Sequence, residues 1–245
     1  MDGRLLNRLY ERLLDSIFPR RCPVCDDAIA PGEGLVCEEC ANDLRLITEP
    51  YCIKCGRPVR DETRRMCPEC EERADDYEYI RGRAVYEYDD ILKDSIYRFK
   101  YGGRREYARF YAEKMAENLG EQIRRWKPQA LIPIPVHKSR LKQRGYNQAA
   151  VLAEELSKLI SVPVREDILI RCEKTRLQKE LSATERQNNL KKALKIAHYD
   201  VKLKCIVLID DIYTTGSTIN AAASCLRKAG VANIYCAVIG AAVND

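Results

Sequence analysis

Long apolar runs are missing from this chain of 245 residues. No stretch approaches the ~20 consecutive apolar residues that a membrane-spanning helix needs. The N-terminus also lacks the uninterrupted apolar segment of a signal peptide, because Asp2, Arg4, Arg8, Glu11 and Arg12 interrupt it. Both absences point to a soluble, cytoplasmic protein. No glycine is followed by lysine, which excludes a Walker A loop, and no G-x-G-x-x-G opens a helix. Residues 22–70 have few large apolar side chains, so burial alone cannot hold that segment together.

Cysteine is what that segment has instead. Eight of the 12 cysteines form four C-x-x-C pairs, Cys22/Cys25, Cys37/Cys40, Cys52/Cys55 and Cys67/Cys70, whose first members are each 15 residues apart. Each pair makes a knuckle that offers two thiolates to one metal, and this spacing is a zinc pattern. Sequential and interleaved pairing use the same sulfurs. Loop-closure entropy separates them by only about 0.8 kcal/mol, too little to decide. Sequential sites, Cys22/25/37/40 and Cys52/55/67/70, are preferred because each 30-residue unit is then a complete zinc ribbon. Four thiolates leave no open position, so both zinc ions should be structural and should supply the segment's folding energy. Cys172, Cys205, Cys225 and Cys236 sit among apolar residues and read as reduced core thiols.

The stretch Cys205–Thr218, CIVLIDDIYTTGST, carries the chemistry. Its apolar run suits a strand buried on both faces of a parallel sheet. Asp210 and Asp211 then lie toward the carboxyl end, where open α/β sheets bind ligands. Thr214, Thr215, Gly216, Ser217 and Thr218 supply amides and hydroxyls where a helix starts, an arrangement suited to phosphate. Two carboxylates beside a phosphate cradle need sugar hydroxyls or hydrated Mg²⁺ as partners, so the expected ligand is a phosphorylated sugar. A second apolar run, Ala130–Pro135, leads into a loop with Val136, His137, Lys138, Arg140, Lys142 and Arg144, where a second anionic group such as pyrophosphate would lie. His137 is either a general acid or a hydrogen-bonded loop residue; the second reading is preferred.

Charge is divided unevenly. Residues 1–80 hold 12 Lys and Arg against 18 Asp and Glu, and the remainder 30 against 19, which makes the second part the home of anionic ligands. Arg98, Lys100, Arg104, Arg105 and Arg109, with Tyr97, Tyr101 and Tyr107 between them, could track a nucleic-acid backbone or could be ordinary helix faces. Residues 2–18 read as an amphipathic helix. The polar stretch 172–189, with Arg176, Lys179 and Arg186, is a candidate mobile loop able to close over a bound diphosphate. Helices are also expected over 90–100, 104–126, about 146–160 and 217–229, and strands at 84–88, near Val164, at 168–171 and at 234–239.

Val207–Thr218 resembles the phosphoribosyl-pyrophosphate (PRPP) motif of type I phosphoribosyltransferases. Together with the C-x-x-C ribbons, IPVHKSRLKQRGYNQA and TRLQKELSATERQNN, it resembles the ComF family, competence-associated proteins of bacterial DNA uptake in natural transformation. The resemblance implies an α/β fold of the type I phosphoribosyltransferase class, with a central parallel sheet flanked by helices. A small double zinc ribbon precedes it, dividing the chain into 1–20, 21–78 and 79–245. It also implies that Asp210 and Asp211 hold the ribose hydroxyls of Mg²⁺-PRPP, Thr214–Thr218 its 5′-phosphate and Pro135–Lys138 its pyrophosphate. Arg144, Gly145, Asn147, Arg176, Gln178, Leu181, Arg186 and Asn189 match further family positions. The implied activity is phosphoribosyl transfer to an unknown acceptor. The alternative is a non-enzymatic PRPP sensor that binds single-stranded DNA or DNA-uptake proteins.

Overall fold

Odd- and even-numbered residues of the central strands face two different cores. The computed structural model describes residues 19–30, 32–172, 193–197 and 202–243; the expected helix at 2–18 and residues 173–192, with Arg176, Gln178, Leu181, Arg186 and Asn189, lie outside the described residues. Four parallel strands, β1 (Arg81–Glu87), β2 (Ala130–Pro133), β5 (Cys205–Tyr213) and β6 (Asn233–Ala241), pair in the order β1-β6-β5-β2. β3 (Leu169–Arg171) and β4 (Leu194–Ile196) form a separate antiparallel pair. The strand expected near Val164 is a single parallel bridge to Leu131.

Val207, Ile209, Ala237 and Ile239 pack under α2 (Asp90–Tyr101), α3 (Tyr107–Trp126) and α5 (Gln148–Ile160). Ile206, Leu208, Ile234, Cys236 and Val238 pack on the other side under α6 (Ser217–Lys228). Side chains alternate across a strand and both faces are covered, which is why the run reads as continuously apolar. Among the described residues the other α-helices are α1 (Pro68–Glu72) and α4 (Lys138–Arg144).

The C-x-x-C segment is built into both cores. Cys22, Val24, Ile29, Cys40 and Leu44 join the α2–α3 side, whereas Cys52, Cys55, Val59, Cys67 and Cys70 join the α6 side. Between them the chain runs antiparallel along β1: Ile47 N donates to Val85 O at 2.8 Å and Glu87 N to Arg45 O at 2.9 Å. The connection therefore covers a sheet edge that would otherwise present unpaired amides. Gly56 makes the second approach possible. At φ 79°, a Cβ on it would stand 2.6 Å from the Arg83 Cα, so only glycine lets this knuckle lie against β1.

Candidate functional site

The eight clustered cysteines fall into two sets, Cys22/25/37/40 and Cys52/55/67/70, with the sulfurs of each set within 4.8 Å of one another. Sulfurs bound at about 2.3 Å around a tetrahedral zinc stand about 3.8 Å apart. The observed Cys25–Cys37, Cys22–Cys37 and Cys55–Cys67 separations are 3.8, 3.6 and 3.7 Å. Both sets therefore fit structural zinc, in the sequential pairing. Hydrogen bonds from Cys55, Cys67 and Cys70 hold Cys52 far below the usual thiol range, toward the thiolate a metal requires. Cys236 is buried, as expected of a core thiol, Cys205 and Cys225 are half-buried, and Cys172 is exposed, contrary to that reading.

The second site begins where β2 stops. Pro133 pairs with Ile209, and Ile134 N donates to Ile209 O at 2.9 Å, so the loop after β2 leaves the sheet beside Asp210. β5 continues past this point to Tyr213 because β6 still pairs with it as far as Ala241. The two acids therefore sit within the strand and project to opposite faces. Asp211 turns toward the α2–α5 side: Lys100 Nζ lies 2.9 Å from its Oδ2, and Gln148 Nε2 donates to the same oxygen at 2.9 Å. Asp210 turns to the other side, where its Oδ1 accepts from the Asp211 amide at 2.9 Å. Burial, and then the charge of Asp211, push its carboxyl up to about 7; Lys100 and Arg171 pull the other way.

Arg144 reaches this centre indirectly. It is buried, and its guanidinium donates to Gln148 Oε1 and to Tyr101 Oη, each at 2.7 Å. The chain Tyr101–Arg144–Gln148–Asp211–Lys100 was not evident from spacing. Gln148 is the one clue, a polar residue ahead of the apolar run Ala149–Ala153. The stretch from Lys138, expected as loop, is helix α4, capped by His137, whose Nδ1 accepts from Ser139 N at 3.1 Å. That is the hydrogen-bonded reading of His137. Lys138, Arg140 and Lys142 remain exposed, and Pro135 and Val136 are half-buried. Asn147 caps α5 and donates to Ile134 O at 3.1 Å, tying that helix to the loop after β2.

On the other side of Asp210 lies the turn Thr214–Thr218. Gly216, at φ 70°, is the N-cap of α6, and the Thr215 and Ser217 hydroxyls lie 2.8 Å apart. Among the described residues, the amides of Thr215 and Gly216 have no backbone acceptor. A cleft of about 440 Å³ adjoins the loop after β2, walled by Pro133, Pro135, Val136 and Lys138 on one side and Leu169 to Arg171 on the other. A larger cavity, about 520 Å³, lies away from the acids, between Arg20 and Pro23 of the first ribbon and α3.

Half of the mixed basic and aromatic stretch is turned inward. Arg98 donates to Val24 O, Arg104 pairs with Asp26, and Tyr107 is buried with its hydroxyl on Cys22 O. Tyr97, Tyr101, Arg105 and Arg109 stay exposed, and the two tyrosine ring centroids are 5.0 Å apart.

Comparison with known proteins agrees with this architecture. The double zinc ribbon domain family matches residues 13–71 and the phosphoribosyl transferase domain family residues 142–242. Competence protein F of Haemophilus influenzae is 30% identical over 224 residues, covering 89% of this chain and 96% of that protein. Competence protein ComFC of Bacillus subtilis is 33% identical over 239 residues, 94% and 93% of the two chains. The DNA utilization protein YhgH of Escherichia coli K12 is 26% identical over 223 residues, 88% and 94% of the two chains. A purine phosphoribosyltransferase from Pyrococcus horikoshii overlays with a TM-score of 0.34 at 17% identity, over 55% of this chain and 84% of that one, too weak an overlay to argue from. The matched phosphoribosyl transferase family and the parallel sheet between helices establish the fold class. With paired zinc-ribbon cysteines ahead of that sheet and identity sustained over most of two competence proteins, the chain belongs to the ComF family.

Proposed function

We propose that the protein binds Mg²⁺-PRPP and transfers its phosphoribosyl group to an acceptor. The observation that carries this reading is the meeting of three segments at one sheet edge: Asp210 and Asp211, the Thr214–Thr218 turn, and the loop from Pro135 to Lys138. In this reading Asp210 accepts from the ribose hydroxyls. Asp211, held by Lys100 and Gln148 on the opposite face, fixes the strand segment that carries Asp210. The Thr214–Thr218 amides and hydroxyls receive the 5′-phosphate at the start of α6. Pro135 to Lys138 lie along the pyrophosphate, and Arg176 and Arg186 are assigned to the same anion from sequence. Mg²⁺, when bound, neutralises the departing pyrophosphate. The cleft beside β3 is the entry for the acceptor. Titration with PRPP, with and without Mg²⁺, followed by pyrophosphate release over an acceptor panel, tests the proposal. Wild-type protein that binds no PRPP would end it, and binding without turnover on any acceptor would leave a sensor.

A second reading is supported by the exposed Tyr97–Tyr101 pair, beneath which the Arg144 guanidinium lies 4.5 Å from the Tyr101 ring centroid. Such a platform suits stacked bases of single-stranded DNA, consistent with a role in DNA uptake. It predicts salt-sensitive binding of an oligonucleotide that survives Asp210→Asn with Asp211→Asn and is lost with Tyr97→Ala and Tyr101→Ala. Binding that is insensitive to the tyrosines removes it.

A further inference from the structure

We infer that Arg57 of the second zinc ribbon is a positioning residue for the Thr214–Thr218 turn, acting through Tyr213, so that this ribbon sets affinity for a sugar 5′-phosphate. The inference rests on the sugar-phosphate reading above and adds a control point to it. A turn of free amides binds phosphate well only when something holds it in one geometry before the ligand arrives. For this turn the support is Tyr213. A Cβ at Gly216 would stand 2.1 Å from the Tyr213 hydroxyl oxygen, so the phenol lies directly against the residue at the centre of the turn. Tyr213 is itself held from the ribbon side. Its hydroxyl shares a 2.8 Å hydrogen bond with that of Tyr79, and the Arg57 guanidinium carbon lies 5.2 Å from its ring centroid.

Arg57 is an unusual residue to find there. It is only 2% exposed, and its nearest charged partner is Glu69 at 2.6 Å. A buried guanidinium is costly, and an apolar side chain would cover a phenol at less expense. What the arginine adds is a fixed direction. Its backbone carbonyl accepts from Cys52 N at 2.7 Å, within the first knuckle of the ribbon, while Glu69 lies between Cys67 and Cys70 of the other. Both ends of Arg57 are thus set by the same four cysteines. A second tie runs in parallel, since Asn220 in α6 accepts from Glu78 N at 2.7 Å and donates to Asp76 O at 2.8 Å. The loop after β2 is instead held by Asn147 on α5. Disturbing Arg57 should therefore weaken the 5′-phosphate and spare the pyrophosphate.

The test uses full-length, zinc-loaded protein, titrated separately with ribose 5-phosphate and with inorganic pyrophosphate plus Mg²⁺. Zinc content and thermal melting are recorded for each variant. Arg57→Leu is expected to weaken ribose 5-phosphate about tenfold, the lower end of the cost of losing a group that orients a ligand-binding one, with pyrophosphate changed less than about twofold. Arg57→Lys, which keeps the charge and loses the planar guanidinium, should recover part of that loss. Tyr79→Phe leaves the ribbon's charge and cysteines untouched and is expected to weaken ribose 5-phosphate about threefold, the effect of one neutral hydrogen bond. Should Arg57→Leu lose zinc or fail to fold, Arg57→Lys decides for Arg57, and Tyr79→Phe tests the support of Tyr213 by itself. Equal losses for both probes, or unchanged ribose 5-phosphate affinity in folded variants, overturn the inference while leaving the site reading intact. Failure of the wild type to bind ribose 5-phosphate overturns both.

Discussion

At the scale of single residues, the site is governed by how two adjacent carboxylates avoid each other. Asp211 has Lys100 and Gln148; Asp210 is buried with its carboxyl pushed up to about 7. An acid whose folded value exceeds its unfolded value of about 3.9 keeps a proton that the unfolded chain releases. Its contribution to stability is complete below about pH 4 and is lost as pH rises through about 7. Asp210→Asn should therefore stabilise the ligand-free protein by about 1–3 kcal/mol at pH 8 and by little at pH 4, measured by urea unfolding at both. Ligand binding should run the opposite way, because ribose hydroxyls donate to a carboxylate. PRPP affinity is expected to rise through pH 7 more steeply in wild type than in Asp210→Asn, which retains only the ligand's own titration. Lys100→Met removes one partner of a largely buried pair and should cost about 2–4 kcal/mol, measured by urea unfolding. A loss below about 1 kcal/mol would mean that the pair is worth no more than a surface ion pair.

At the scale of elements, the turn into α6 is the most constrained piece of the site. Gly216→Ala meets both a left-handed backbone, φ 70°, and the Tyr213 phenol. It should destabilise the protein by about 1–3 kcal/mol and abolish ribose 5-phosphate binding, read by denaturation and titration together. This turn was legible in the sequence because its chemistry is local: acids, threonines and glycine stand in consecutive positions. The C-x-x-C pairs were legible for the same reason. Helix α4 was not, since KSRLKQR offers one apolar residue in seven and no helical period. The support behind the turn was not legible either, because Gln148 reaches Asp211 across 63 residues and Tyr79 reaches Tyr213 across 134. Such contacts depend on strand order, which no local pattern states. The same is true of the acids' opposite facing. It follows from β5 continuing beyond β2, and only the length of β6 reveals that.

At the scale of the whole molecule, the zinc ribbons act as two braces on opposite faces of the sheet, each reaching a different wall of the site. The first holds α2 and α3, through Arg104 to Asp26 at 2.7 Å, Tyr107 to Cys22 O at 3.0 Å and Ser95 to Pro23 O. α2 in turn carries Lys100 to Asp211. The second holds Tyr213 and the start of α6 through Arg57, Tyr79 and Asn220. A structural zinc contributes about 10–16 kcal/mol of apparent binding energy, comparable with the 5–15 kcal/mol that holds a typical domain together. Losing either metal should therefore loosen the wall it braces as well as the ribbon itself. Amide exchange on variants that remove one site at a time separates the two. Cys22→Ser with Cys37→Ser should speed exchange in α2 and the first turns of α3 and leave α6 protected. Cys52→Ser with Cys67→Ser should speed exchange from Thr214 through Ser224 and leave α2 protected. Faster exchange confined to the mutated ribbon would show that the ribbons stabilise only themselves. Loss of protection throughout the chain in both variants would show that the two braces act as one cooperative unit.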